Sequence, residues 1–231
     1  MAEETVQSIL ARLHNIADPK ALEGMERFGI RTSSALGISM PRLRQLARDI
    51  GKNHDLAEAL WESGLHEARI LASLVAVPGE VTNELMDRWV LDFDSWDLCD
   101  QCCSNLFDKT KWNYQKAVEW PGRHEEFVKR AGFVLMACLA VHDKRAPDQA
   151  FLSFLPLIRR EAGDGRNFVK KAVNWALRQI GKRNLVLNGH CIQLAEELKE
   201  SDSSVALWIA SDALRELTGE KVQQRLEGKS G

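Results

Sequence analysis

The residues best suited to chemistry lie in two short stretches, each of which places a tryptophan near charged side chains. In the first stretch, residues 95–100 read SWDLCD, and Trp96 and Asp100 are four positions apart. On a helix they share one face. The indole offers a π face and the carboxylate a full negative charge, so the two can stabilise a cationic sugar or base.

The second stretch carries charge of the opposite sign. Lys171, Trp175 and Arg178 are spaced i, i+4 and i+7, so they line one helical face that is basic and aromatic. We expect this face and the Trp96 face to meet across a concave surface. The residues alone leave another interpretation open, because tryptophans at helical spacing usually pack in a core and Asp100 could pair with an arginine such as Arg130.

The net charge of −2 conceals a strong segregation of charge along the chain. Residues 109–183 carry 16 Lys and Arg against 7 Asp and Glu, whereas the remainder carries 15 against 26. A basic segment in which cations alternate with tryptophan at helical spacing indicates a local anion-binding surface. The alternative is a charged face that is simply solvated.

Composition places the chain among globular proteins. Its 231 residues are 45% hydrophobic and 28% charged, which suffices for one domain with a substantial core, predicted over residues 1–231. We expect a cytoplasmic protein without a membrane partner, because the N-terminus is acidic without an apolar signal core and no run is long enough to span a membrane. The expected oligomeric state is a monomer.

The five cysteines give no disulfide framework, since three crowd into one helical turn region and two stand alone. No second Cys-x-x-Cys pair or nearby histidine completes a metal site, so buried thiols are expected and neither metal nor cofactor is predicted. The cysteines are Cys99, Cys102, Cys103, Cys138 and Cys191.

Hydrophobic periodicity predicts helices almost throughout, with no convincing strand alternation and no glycine-rich phosphate loop. Helices are predicted at 111–120, at 125–141 as a central element, and at 148–162 with a kink at Pro156; caps are predicted at Ser95 and Asn167. Helix pairs recur roughly every 35 to 40 residues, which favours an all-α solenoid of HEAT-like antiparallel helix pairs. A globular helical bundle is the structural alternative.

With these residues named, the chain resembles the DNA alkylation-repair glycosylases of the AlkD type. The resemblance runs in order along most of the chain and is most distinctive in its last motif. Its motifs are GISMPRLR at 37–44, SWDLCD at 95–100, KRA at 129–131 and KKAVNWALR at 170–178.

The resemblance implies a superhelical stack of HEAT-like repeats whose concave face cradles duplex DNA carrying alkylated bases. It implies hydrolysis of the N-glycosidic bond of N3- and N7-alkylated purines, with Asp100 as the catalytic carboxylate. Trp96 and Trp175 are the implied aromatic walls, and Arg130 is the implied contact to the DNA backbone. Lys129, Lys171 and Arg178 are expected to bind phosphates as well.

Two hypotheses from different functional classes follow. The first is a monofunctional DNA glycosylase. The second is a non-catalytic HEAT-like module that binds nucleic acid or a protein partner. Both account for the helices and the basic face, but only the first accounts for a carboxylate flanked by tryptophan.

Overall fold

Apolar side chains recur every three to four residues along the chain, and the backbone accordingly forms one helix after another. The structure, a computed structural model, describes residues 5–228, and within that range it contains helices and no β-strand. The predicted all-α class is confirmed. No helix in this range is long and apolar enough to cross a membrane.

The chain divides into two compact units, Met1–Trp112 and Asn113–Gly231. In the first unit, the indoles of Trp61 and Trp89 are buried and stack with their centroids 4.0 Å apart, which joins two helices at the centre of the core. Its helices are α1 (Val6–Asn15), α2 (Pro19–Arg27), α3 (Met40–Ile50), α4 (His54–Glu62), α5 (His66–Val75), α6 (Asn83–Leu91) and α7 (Trp96–Asn105), followed by a 3-10 helix (Phe107–Lys109).

In the second unit, the helix predicted as central is buried on nearly all sides and packs against the helices at Asn113–Glu119 and Asn167–Gly181. The helices of this unit are α8 (Asn113–Glu119), α9 (Glu126–His142), α10 (Asp148–Leu152), α11 (Leu155–Glu161), α12 (Asn167–Gly181), α13 (Leu185–Lys199), α14 (Ser204–Leu217) and α15 (Glu220–Glu227), with a 3-10 helix at Trp120–Gly122.

Side-chain hydrogen bonds between successive helix pairs recur at fixed sequence separations. In the first unit, Trp61 bonds Asp92 and His66 bonds Asp97, each 31 residues apart. In the second unit the separation is 38 residues, as between Asn174 and Asp212. These regular offsets fit a stack of helix pairs, although the repeat of the first unit is shorter than the predicted 35 to 40 residues.

Several predicted helix boundaries were wrong, and proline accounts for two of them. The helix expected at 148–162 is two helices, because Pro156 lacks an N–H and lies in the first turn of the second one. The helix expected to reach Trp120 ends one residue earlier, where Trp120 and Pro121 form a 3-10 turn. Asn167 is the first residue of α12, and Arg166 occupies the cap position.

Candidate functional site

The candidate site in the first unit begins at the N-terminus of α7. Ser95 occupies the predicted cap position with an extended backbone, but its side chain makes no capping hydrogen bond. Trp96 is the first helical residue, and its indole Nε1 donates a hydrogen bond to the carbonyl oxygen of Phe28 at 2.8 Å. The indole is therefore anchored to the irregular segment that follows α2.

Asp100 follows one helical turn after Trp96, as the sequence predicts. Both residues are partly exposed, whereas the three thiols of α7 are buried in the core of the unit. The helix thus presents an indole and a carboxylate on an accessible face. The buried thiols are Cys99, Cys102 and Cys103.

The segment that holds Trp96 is itself fixed by a buried glutamate at the start of α5. The carboxylate of Glu67 accepts hydrogen bonds from the backbone N–H groups of Leu36, Gly37 and Ile38 at 2.8, 2.7 and 3.2 Å. Gly37 has a φ of +75°, and a Cβ added there would lie 2.2 Å from the carbonyl oxygen of Asp18. Only glycine fits this turn.

The neighbouring residue, His66, ties α5 to α7. Its Nε2 lies 2.9 Å from Oδ2 of Asp97, and only 3% of His66 is exposed. Burial opposes charge on both groups, yet their mutual hydrogen bond and attraction outweigh it. The pKa of His66 is raised, with further help from Glu67 and Asp94, and the pKa of Asp97 is lowered.

The sequence alone did not reveal this pair. From its position, Asp97 is a favourable charge in the first turn of α7 and nothing more. No local pattern links positions 31 residues apart, so the one available signal was a histidine opening a helix immediately before a glutamate.

In the second unit, α12 carries the basic and aromatic face. Lys171 is exposed and Trp175 partly exposed, one turn apart on the same face. Arg178 continues this face, and its guanidinium pairs with Glu216 at 2.6 Å and with Asp212 at 3.3 Å. Lys171 is thus the most exposed of these three side chains.

The other two predicted DNA-binding residues contact protein atoms. Lys129 pairs with Glu161 and lies 3.4 Å from Asp164. Arg130 is only 5% exposed, and its Nη1 donates to the carbonyl oxygen of Phe168 at 2.6 Å, which fixes the first turn of α12. Their contact with DNA stays a prediction, and Arg130 also supports the helix that bears Trp175.

Comparison with known proteins identifies the family. A profile described as DNA alkylation repair enzyme matches residues 9–217, which is most of the chain. The chain belongs to this family. The search of curated proteins finds no match.

The fold of this DNA alkylation repair family member is also found among solved structures. One of them is described as a new family of proteins related to the HEAT-like repeat DNA glycosylases with affinity for branched DNA structures. The two chains have a TM-score of 0.74 at 17% identity, covering 92% of this chain and 95% of that one. The fold is therefore that of the HEAT-like repeat DNA glycosylases.

The buried His66–Asp97 pair predicts a pH-dependent stability for this member of the DNA alkylation repair family. Because the pKa of His66 is raised from 6.5, its contribution to stability is complete below pH 6.5 and is lost as the pH rises through the pKa of the folded state. Because the pKa of Asp97 is lowered from 3.8, its contribution is complete above pH 3.8 and is lost as the pH falls through the pKa of the folded state. The pair should therefore stabilise the fold most between these two values.

Urea unfolding from pH 4 to pH 8 checks this expectation. Asp97→Asn should cost about 1–3 kcal/mol near pH 5.5 and should flatten the fall in stability above neutrality. His190→Gln, which alters an exposed histidine of α13, is the control and should keep the wild-type profile. Parallel profiles for wild type and Asp97→Asn would contradict the assignment.

Proposed function

We propose that this protein is a DNA glycosylase that hydrolyses the N-glycosidic bond of cationic N3- or N7-alkylated purines in duplex DNA. The observation that carries the proposal is the accessible face of α7, on which Trp96 and Asp100 lie one turn apart. The family membership and the fold support a role on DNA.

The chemistry requires little beyond a positioned carboxylate. An alkylated purine already carries a positive charge, so it can leave without protonation by a general acid. The deoxyribose then becomes oxocarbenium-like, and the carboxylate of Asp100 would stabilise that charge and position the attacking water. The π faces of Trp96 and Trp175 would favour a cationic nucleotide over a neutral one.

Anchoring of Trp96 supports this role, because a preorganised group contributes more than a mobile one. The hydrogen bond from its indole to Phe28 removes rotational freedom before any substrate arrives. The Glu67 carboxylate and the His66–Asp97 pair hold the two backbone segments that this bond joins.

DNA would be held through its phosphates, without reading of sequence. Lys171 would supply the most accessible charge on α12, and Arg178 follows on the same face. Lys129 and Arg130 complete the proposed set, with Arg130 also securing the start of the helix.

A second candidate function is binding of DNA without catalysis. It is favoured by the solved structure described as having affinity for branched DNA. The two functions differ in what they require of Asp100. A glycosylase needs its charge, whereas a binding module gains nothing from a carboxylate that faces phosphates.

The first test is the Asp100→Asn substitution, which keeps the shape of the side chain and removes its charge. Single-turnover release of N7-methylguanine should fall by about a hundredfold or more, while DNA affinity should hardly change. Asp55→Asn, an exposed aspartate in the first turn of α4, serves as the matched control. Base release by Asp100→Asn at the wild-type rate would exclude this carboxylate, and no release by wild type would favour the binding module.

The second test concerns the phosphate contacts of α12. Lys171→Ala should weaken duplex binding for all sequences and reduce the slope of log affinity against log salt by about one. Lys199→Ala removes an exposed lysine at the end of α13 and should leave the slope unchanged. Equal slopes for wild type and Lys171→Ala would remove Lys171 from the DNA interface.

A further inference from the structure

Trp208 lies at the surface of the second unit. Tryptophans at helical spacing usually pack in a core, but this residue is 40% exposed. It lies on α14, which packs against α12 in the second unit. The preceding residue, Leu207, is also exposed, at 38%.

A row of side-chain contacts joins α12 to α14, and Trp208 stands at one end of it. Each contact links residues 38 positions apart. The row consists of Lys170 over the ring of Trp208 at 4.6 Å from its centroid, Asn174 to Asp212 at 2.6 Å, and Arg178 to Glu216 at 2.6 Å.

Charge is distributed unevenly along this row. Toward the C-terminus of α12, the carboxylates of Asp212 and Glu216 are paired with cations. At the Trp208 end, neither Lys170 nor Lys171 forms a salt bridge anywhere in residues 5–228. The exposed indole is thus contacted by Lys170, and the next residue of α12, Lys171, adds a second charge that no carboxylate offsets.

We propose that Trp208, with Lys170 and Lys171, binds an unpaired nucleobase of DNA together with its phosphate. This inference rests on the proposed function, since it extends the DNA-binding face of α12 onto α14. An indole stacks on any base, and an adjacent lysine supplies the phosphate contact. In a fully paired duplex, both faces of each base are covered by neighbouring pairs, so only an unpaired base can use this indole.

Charge decides between this ligand and a protein partner. A protein docking on Leu207 and Trp208 would have to bring acidic groups to satisfy Lys170 and Lys171. A nucleotide brings an aromatic face and an anion in one unit, which matches the two chemical features of the patch. The same pairing of aromatic and basic side chains occurs on α12 in Trp175 and Lys171.

The test compares a fully paired duplex with the same duplex carrying one unpaired nucleotide, each titrated by fluorescence anisotropy. Trp208→Ala should weaken binding of the bulged duplex by about 5- to 100-fold, and binding of the paired duplex by less than about twofold. Trp208→Phe should restore much of the lost affinity, because a smaller ring still stacks. Leu207→Ala, an adjacent and equally exposed position, should bind both DNAs like wild type.

The outcomes separate this inference from the proposed function. An equal loss on both DNAs, or no loss on either, would overturn the role of Trp208 and leave duplex binding by α12 intact. Failure of wild type to bind the paired duplex even at low salt would count against the proposed function itself. Thermal unfolding of each variant establishes that a lost affinity does not reflect a lost fold.

Discussion

The first unit depends on the buried carboxylate of Glu67, which needs hydrogen-bond donors in place of water. Glu67 is 1% exposed, and a buried charge persists only when hydrogen bonds replace its water. Three backbone N–H groups at positions 36–38 serve that purpose, so the segment after α2 must lie against the start of α5. His66 then joins the same point to α7 through Asp97. These contacts bear on the orientation of Trp96, because its indole donates to the carbonyl oxygen of Phe28, where the same segment begins.

The contacts between helix pairs explain why the basic segment at residues 109–183 leaves few cations without a carboxylate or carbonyl partner. Helix pairs are joined by polar side chains that reach the next pair, and several cations serve in these joints. Arg130 and Arg183 donate to backbone carbonyls at helix ends, and Arg178 neutralises carboxylates of α14. Lys170 and Lys171 are outside these ion pairs in the described chain, so a small part of the basic segment carries most of the free positive charge on α12.

Local features were predictable and distant contacts were not. Asp18 and Thr82 cap their helices as their residue types indicate, and Gly51 ends α3 with a positive φ. The spacing of Trp96 and Asp100 on one helix also followed from the sequence. The His66–Asp97 pair and the exposure of Trp208 depend on how one repeat stacks on the next. That register is set by the three-dimensional packing of many side chains, which no periodicity within a single helix encodes.

The proposed chemistry depends on the charge of the lesion, because Asp100 would stabilise the sugar of a nucleotide whose base leaves without protonation. Single-turnover release by the wild-type protein measures this directly, using duplexes that differ only in one base: N7-methylguanine, which is cationic, or hypoxanthine, which is neutral. Release of the cationic base should be faster by about a hundredfold or more. Comparable release of both bases, or release of neither, would contradict a mechanism based on charge stabilisation by Asp100.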